Sequence, residues 1–212
     1  MYAFLKRLID IIVSILFLLP FSFIFLLIGI LIKVEDKGSV FYCGERLGKN
    51  GKVFKMYKFR SMKVNAPDIR NSDGSTFNSS NDPRITKIGK VLRETSIDEL
   101  PQLINVLKGD MSIIGPRASM GNSISTFEKD ELDKMKVRPG ITGFTQAYFR
   151  NSLTMREKRL KDAWYANNVT FILDIKILFK TIGTVIRRES LYTNDEGSKV
   201  KDSKGGKQSK KA

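Results

Sequence analysis

The string Ser96-Ile97-Asp98-Glu99-Leu100-Pro101-Gln102 sets two adjacent carboxylates just ahead of a helix-spaced apolar run. A carboxylate in that setting has two chemical uses. It can attack an electrophilic phosphorus and form an acyl phosphate. It can also hold Mg²⁺, which takes one or two carboxylates together with substrate phosphate oxygens. The amides of a helix N-terminus favour the same phosphates. Arg93, five residues upstream, and Arg117, after Gly115-Pro116, offer cations to offset the charge. A purely structural account competes. Ser96 and Glu99 have capping-box spacing, acids are stabilised at a helix N-terminus, and each arginine can be a solvated surface charge or an ion pair. Pro101 weighs against that account. With Ser96 as the cap, Pro101 would fall just beyond the free first turn and delete a helix hydrogen bond. The helix is therefore expected to begin later, near Asp98, with both carboxylates at its mouth.

Composition narrows the chemistry further. The chain has 212 residues and no histidine, which removes the Ser-His-Asp triad and most zinc sites. Cys43 is the single cysteine, so there is no disulfide framework and no Cys-x-x-Cys knuckle, as suits a reducing, cytosolic side. The net charge is +15. Part of it lies in a Gly/Ser/Lys-rich tail, residues 191–212, which reads as disordered. The remainder suits anionic lipid head groups or phosphorylated ligands. No regular basic stripe interleaved with aromatics is visible, so nucleic acid is not the expected partner. A membrane-anchored basic module that binds nucleic acid or anionic lipid without catalysis is the alternative to an enzyme.

The elements that must position the carboxylates begin with residues 11–32, which carry no charge and contain Pro20. The run is just long enough to cross a hydrocarbon core of about 30 Å. Pro20 should kink it, which suits a segment that dips into the membrane and returns to the same face. The run is longer than a secretory signal core, and no small-residue cleavage site follows it. The basic domain beyond it is expected on the cytoplasmic face. Residues 39–47 and 52–61 read as strands joined through Asn50-Gly51, a hairpin signal. Residues 63–82 read as a loop. Helices are expected over 83–93 with Asp82 as cap, from about 98 to Gly109, over 128–137 and over 153–166, with 139–147 irregular. A last helix, 170–188, is apolar enough to lie in the membrane interface. The expected fold is α+β, mainly α. It consists of a re-entrant membrane helix (1–34), one cytosolic domain with a small β-hairpin (35–190) and the basic tail (191–212).

The sequence resembles the bacterial sugar transferases, the monotopic polyprenyl-phosphate phosphoglycosyl transferases. The matching strings are Lys58-Phe59-Arg60-Ser61-Met62, Thr95 to Gln102, Asn105 to Ser112, Gly115-Pro116-Arg117, Arg138 to Gly143, Arg150-Asn151-Ser152, Trp164-Tyr165 and Leu173-Asp174-Ile175-Lys176. They fall in order over about residues 4–188. The resemblance implies transfer of a sugar 1-phosphate from a UDP-sugar to a polyprenyl phosphate such as undecaprenyl phosphate, with release of UMP. It implies a ping-pong course in which Asp98 is the nucleophile and Asp98 and Glu99 bind Mg²⁺. Lys58, Arg60, Arg93, Arg117, Arg150, Asn151 and Asp174 are the implied substrate-binding positions. Leu19-Pro20 matches the break in the membrane helix. The implied setting is the cytoplasmic face of a bacterial plasma membrane, with membrane lipids as partners and a homodimer as a possible assembly. The sequence departs from the family pattern at Ala118, where proline is usual, and at Leu19, where serine would back-bond the helix. It also departs at Phe149, where glycine is usual, and at Met155, where tryptophan is common. The chain has the form of a small member, without the extra membrane helices of larger ones.

Overall fold

The computed structural model describes residues 2–69, 77, 79, 81–150 and 152–187. The tail over 191–212, the site position Asn151 and part of the expected 63–82 loop lie outside the described residues.

Helix α1 (Tyr2–Asp36) takes up the apolar run and its charged flanks, 35 residues with Pro20 inside. Pro20 has no N–H, so the carbonyl four residues back loses its helical donor. A hydroxyl does reach this turn, since Ser22 donates to the Leu19 carbonyl at 2.7 Å. Asp10 and Ser14 are buried on one side of the proline and Ile28, Gly29 and Ile32 on the other. Between them Leu16, Leu19 and Phe23 are about two-thirds exposed or more (65%, 71% and 66%). α1 is long and apolar enough to cross a membrane, with a mean hydropathy of 3.0 over its most apolar window.

Strands β1 (Phe41–Leu47) and β2 (Val53–Phe59) form the expected antiparallel hairpin, with Leu47 opposite Val53 and Tyr42 opposite Lys58. Asn50 and Gly51 close it with φ of 56° and 74°, the left-handed values for which Asn-Gly is suited. Helix α2 (Lys87–Glu94) begins later than expected. Its cap is Thr86, whose hydroxyl accepts from the Gly89 amide at 2.9 Å. Asp82 caps nothing; its carboxylate is taken by Arg84 at 2.6 Å. A single 3₁₀ turn, Ile97–Glu99, then leads through Pro101 into α3 (Gln102–Lys108), which Gly109 ends at φ 87°.

Strand β3 (Ser112–Ile114) is followed by β4 (Ser119–Met120), which extends the hairpin sheet to the order β2-β1-β4. Residues 129–136 coil as a 3₁₀ helix where a helix was expected. The segment expected to be irregular is ordered. It holds β5 (Gly140–Thr142), parallel to β3, and the short helix α4 (Phe144–Tyr148). Helices α5 (Met155–Asn167) and α6 (Phe171–Ile186) complete the fold. α5 opens on a capping box between Thr154 and Glu157. The fold is thus α+β and mainly helical.

Three apolar clusters hold these elements. Ile28 and Ile32 of α1 meet Phe59 and Leu92. Phe54 and Met56 of β2 meet Val106 and Met111, with Ala118 against them. Ile114, Ala147, Tyr165 and Ile177 join β3, α4, α5 and α6. Each fully buried side chain of this size contributes about 2 kcal/mol. β2 is shared by the first two clusters, and the Asp98–Glu99 turn lies in the chain between α2 of the first and α3 of the second. On α6, Ile172, Phe179 and Ile186 remain well exposed, so its apolar surface is not spent on the core.

Candidate active site

Strand periodicity places Lys58 on the same face of β2 as Phe54 and Met56, the face that packs on α3. Its ammonium pairs with Glu99 Oε1. Register between strand and helix is fixed by Asn105 of α3, which is fully buried. Its amide group behaves like a length of neighbouring strand, accepting from the Tyr57 N–H at 2.9 Å and donating to the Lys55 carbonyl at 2.8 Å. The edge of β2 is thereby paired, and the lysine one residue beyond Tyr57 is held beside the carboxylates.

The turn that carries Asp98 and Glu99 is not a capping box. Ser96 sits at φ 58° with no capping hydrogen bond, and Glu99 turns to Lys58 instead of its own helix. The proline argument holds, and the structure carries it further. The α-helix proper starts at Gln102, so the carboxylates occupy the one-turn 3₁₀ lead-in rather than the first turn of α3.

Arg93 reaches the same region from α2. Its Nε donates to Ser61 Oγ at 2.9 Å. This requires α2 to lie directly on the end of β2, and Gly89 permits it, since a Cβ there would come within 2.0 Å of the Ser61 carbonyl oxygen. Arg117 stands in the turn after β3 with its side chain exposed. Its backbone N–H donates to Asp162 Oδ2 at 3.1 Å. Asp162 is buried and is the anchor of this turn, for it also accepts from Lys134 at 3.1 Å and from Thr145 Oγ1 at 2.8 Å.

The two carboxylates differ in surroundings. Removal from water and the neighbouring Glu99 charge push the Asp98 carboxyl up to about 6, against the pull of Lys58 and Arg93. Burial pushes Glu99 upward too, but Lys58 and Arg117 outweigh it and hold that carboxyl below the usual range. The two neighbouring carboxyls are thus pushed in opposite directions, Asp98 up and Glu99 down. Among the described residues Asp98 forms no salt bridge, and no group of three or more acidic, histidine or cysteine side chains could cage a metal. Two carboxylates are the protein share that suits Mg²⁺ when a substrate's phosphates and water supply the rest, so the donor set fits that ion.

Arg60 and Asp174 make contacts of their own. Arg60 closes the end of α1, donating to the Asp36 carbonyl at 2.6 Å and standing 3.6 Å from its carboxylate. Asp174 is buried among Tyr2, Lys6 and Tyr165, at 2.5, 2.5 and 2.6 Å, and ties the start of α1 to α5 and α6. Arg150 follows α4 at φ 45°. Lys58, Arg93 and Arg117 are thus the candidates whose charges act on the Asp98–Glu99 pair. Ser61, Asn105 and Asp162 were not singled out from sequence, although Ser61 and Asn105 lie inside the motif strings. A buried amide or carboxylate that holds a neighbour leaves no spacing signal.

The fold is thus that of an α+β protein with a carboxylate pair on a 3₁₀ turn, a lysine paired to it from a hairpin strand, and an N-terminal helix long and apolar enough to cross a membrane. The model of the family described as "Bacterial sugar transferase" matches residues 1–188, and the chain belongs to that family. It is 41% identical over 201 residues to "Undecaprenyl-phosphate galactose phosphotransferase" of Salmonella typhimurium, covering 89% of this chain and 42% of that protein. It is 39% identical to "UDP-N-acetylgalactosamine-undecaprenyl-phosphate N-acetylgalactosaminephosphotransferase" of Aeromonas hydrophila, covering 87% of this chain and 44% of the relative. It is 38% identical to "Exopolysaccharide production protein ExoY" of Rhizobium meliloti, covering 88% of each. The chain thus spans less than half the length of the first two relatives and most of the third.

Proposed function

We propose that the protein is a membrane-anchored phosphoglycosyl transferase. It moves a sugar 1-phosphate from a UDP-sugar to undecaprenyl phosphate or a similar polyprenyl phosphate, and UMP leaves. The observation that carries this reading is the Asp98–Glu99 turn itself, with the Lys58 ammonium paired to Glu99 and Asp98 beside it in no salt bridge among the described residues. The names of the relatives support the same substrate classes.

Asp98 attacks the phosphorus that bears the sugar. An aspartyl O–P bond forms, the bridging P–O bond of the diphosphate breaks, and UMP takes the electron pair. The polyprenyl phosphate oxygen then attacks the acyl phosphate, and Asp98 leaves as a free carboxylate. No redox partner is required, and the Asp98 carboxylate is consumed and returned. Arg93 and Arg117 hold phosphate oxygens, a task for which a guanidinium fork suits. Lys58 keeps Glu99 ionised and oriented. Asp98 and Glu99 would hold Mg²⁺, which would supply Lewis-acid stabilisation of charge on the diphosphate.

α1 brings this site to the lipid. Tyr2 and Glu35 both touch the globular domain, by bonds to Asp174 and to the start of α2. A straight helix would hold those two residues about 50 Å apart. A compact domain of this size is only about 40 Å across. These contacts and the exposed apolar tip around Pro20 support a re-entrant segment that returns to the cytoplasmic face. The exposed apolar residues of α6 add an interfacial surface. The test is UMP release from a panel of UDP-sugars with undecaprenyl phosphate in lipid vesicles. Sustained release beyond the first turnover that depends on acceptor, with EDTA stopping release and Mg²⁺ restoring it, is the expected result, and release from none of the sugars contradicts the proposal.

A further inference from the structure

We propose that Arg7 and Glu35, two of the charges on either side of the apolar run of α1, are positioning residues for the Asp98–Glu99 turn. This rests on the reading of that turn as the reacting centre. In chain order the turn hangs between α2 and α3, and each of these helices is gripped at its far end by a different limb of α1. At the start of α2, Glu35 accepts from the Lys87 amide at 2.6 Å and the Ile88 amide at 3.0 Å. At the end of α3, Arg7 donates to the Val106 carbonyl at 2.6 Å and the Leu107 carbonyl at 3.1 Å. Both charges have the sign that the helix dipole favours: an acid at an N-terminus and a base at a C-terminus.

Neither helix depends on these bonds to exist. α2 has its own cap in Thr86, and α3 is closed by Gly109, whose N–H returns to the Val106 carbonyl at 3.0 Å. The long-range caps therefore fix where the helices stand relative to α1, more than whether they form. Further contacts run alongside each grip. Ile32 packs near Leu92, and Asp10 accepts from the Ile113 amide at 3.0 Å, just past α3. The membrane helix thus spans the turn from both sides, and its seating sets the spacing of Asp98 from Lys58, Arg93 and Arg117. This predicts that the first half-reaction depends on α1, although its donor is water-soluble.

The experiment is a rapid-mixing measurement of UMP released in the first turnover. It uses the full chain in lipid vesicles, with a UDP-sugar that wild type turns over and no acceptor. Arg7→Ala and Glu35→Ala are expected to slow the burst about tenfold each, the scale of a small misplacement of reacting groups. Arg7→Lys and Glu35→Asp should recover most of the rate. Phe4→Ala and Val34→Ala, beside the two caps but pointing outward, should burst like wild type. Where Arg7→Ala does not yield folded protein, Arg7→Gln is read in its place. Unchanged bursts in the cap variants, or equal losses in the two neighbouring variants, overturn the proposal. A wild-type protein that releases UMP on full turnover but gives no burst without acceptor overturns the two-step reading and this inference with it.

Discussion

Asp98 and Glu99 carry the same functional group one residue apart, and their neighbours divide the work between them. Lys58 and Arg117 hold Glu99 as an anion, while loss of water and the Glu99 charge keep Asp98 basic. Asp98→Asn is expected to abolish sugar-phosphate transfer while leaving the thermal midpoint intact, since Asp98 forms no salt bridge among the described residues. Lys58→Met should act on the metal through Glu99. It removes the partner that keeps the carboxylate ionised and aimed, so the Mg²⁺ concentration for half-maximal UMP release should rise about tenfold or more. An unchanged Mg²⁺ midpoint would separate Lys58 from the metal site. The adjacent acids and Pro101 made the site legible in the sequence, because a proline that spoils one capping scheme is a local, steric fact. Asp162 was not legible. Its role is to hold the Arg117 backbone across the fold, and nothing in the residues beside it announces that.

At the scale of elements, the hairpin and the helices that follow periodicity and caps were readable. Asn50-Gly51 fixes the turn, and Thr154 with Glu157 fixes the start of α5. The start of α2 was misread because Asp82-Pro83 has the look of a cap, whereas Asp82 is committed to Arg84 and Thr86 does the capping. Strand β5 was misread because its partner β3 is distant in sequence, and its glycines serve close parallel packing rather than irregularity. Two predictions belong here. Asn105→Ala strips the buried bonds to the Lys55 carbonyl and the Tyr57 amide and should cost about 3 kcal/mol in chemical denaturation, with transfer falling as Lys58 loses its register. The buried Asp82–Arg84 pair sets a pH dependence. Bonding to Arg84 outweighs burial and lowers the Asp82 carboxyl from its ordinary 3.8. Its contribution is therefore full above that value and is lost as pH falls through the folded-state value below it. Asp82→Asn should lower the melting temperature at neutral pH, and the gap to wild type should close in acid; a gap that stays constant down to strong acid would contradict the assignment.

On the proposed function the whole molecule would join a water-soluble donor to a lipid acceptor, and α1 would be the part that makes one site serve both. Composition alone made the long apolar helix legible: residues 11–32 have no charge. What composition could not convey is that both limbs of α1 dock on one domain, since those contacts run to Val106, Ile113, Leu92 and Lys87, far along the chain. On the re-entrant reading, Pro20→Ala should restore the missing helix bond and lower transfer more than membrane association, as flotation and UMP release on the same vesicles would read. The central claim is that Asp98 carries the sugar phosphate. Intact-protein mass spectrometry of the vesicle-bound enzyme, quenched after mixing with a UDP-sugar and Mg²⁺ but no acceptor, tests it most directly. The account predicts a mass gain of one sugar phosphate, absent in Asp98→Asn and discharged by undecaprenyl phosphate. An enzyme that transfers sugar phosphate without ever gaining that mass, or an Asp98→Asn variant that gains it, would contradict the account.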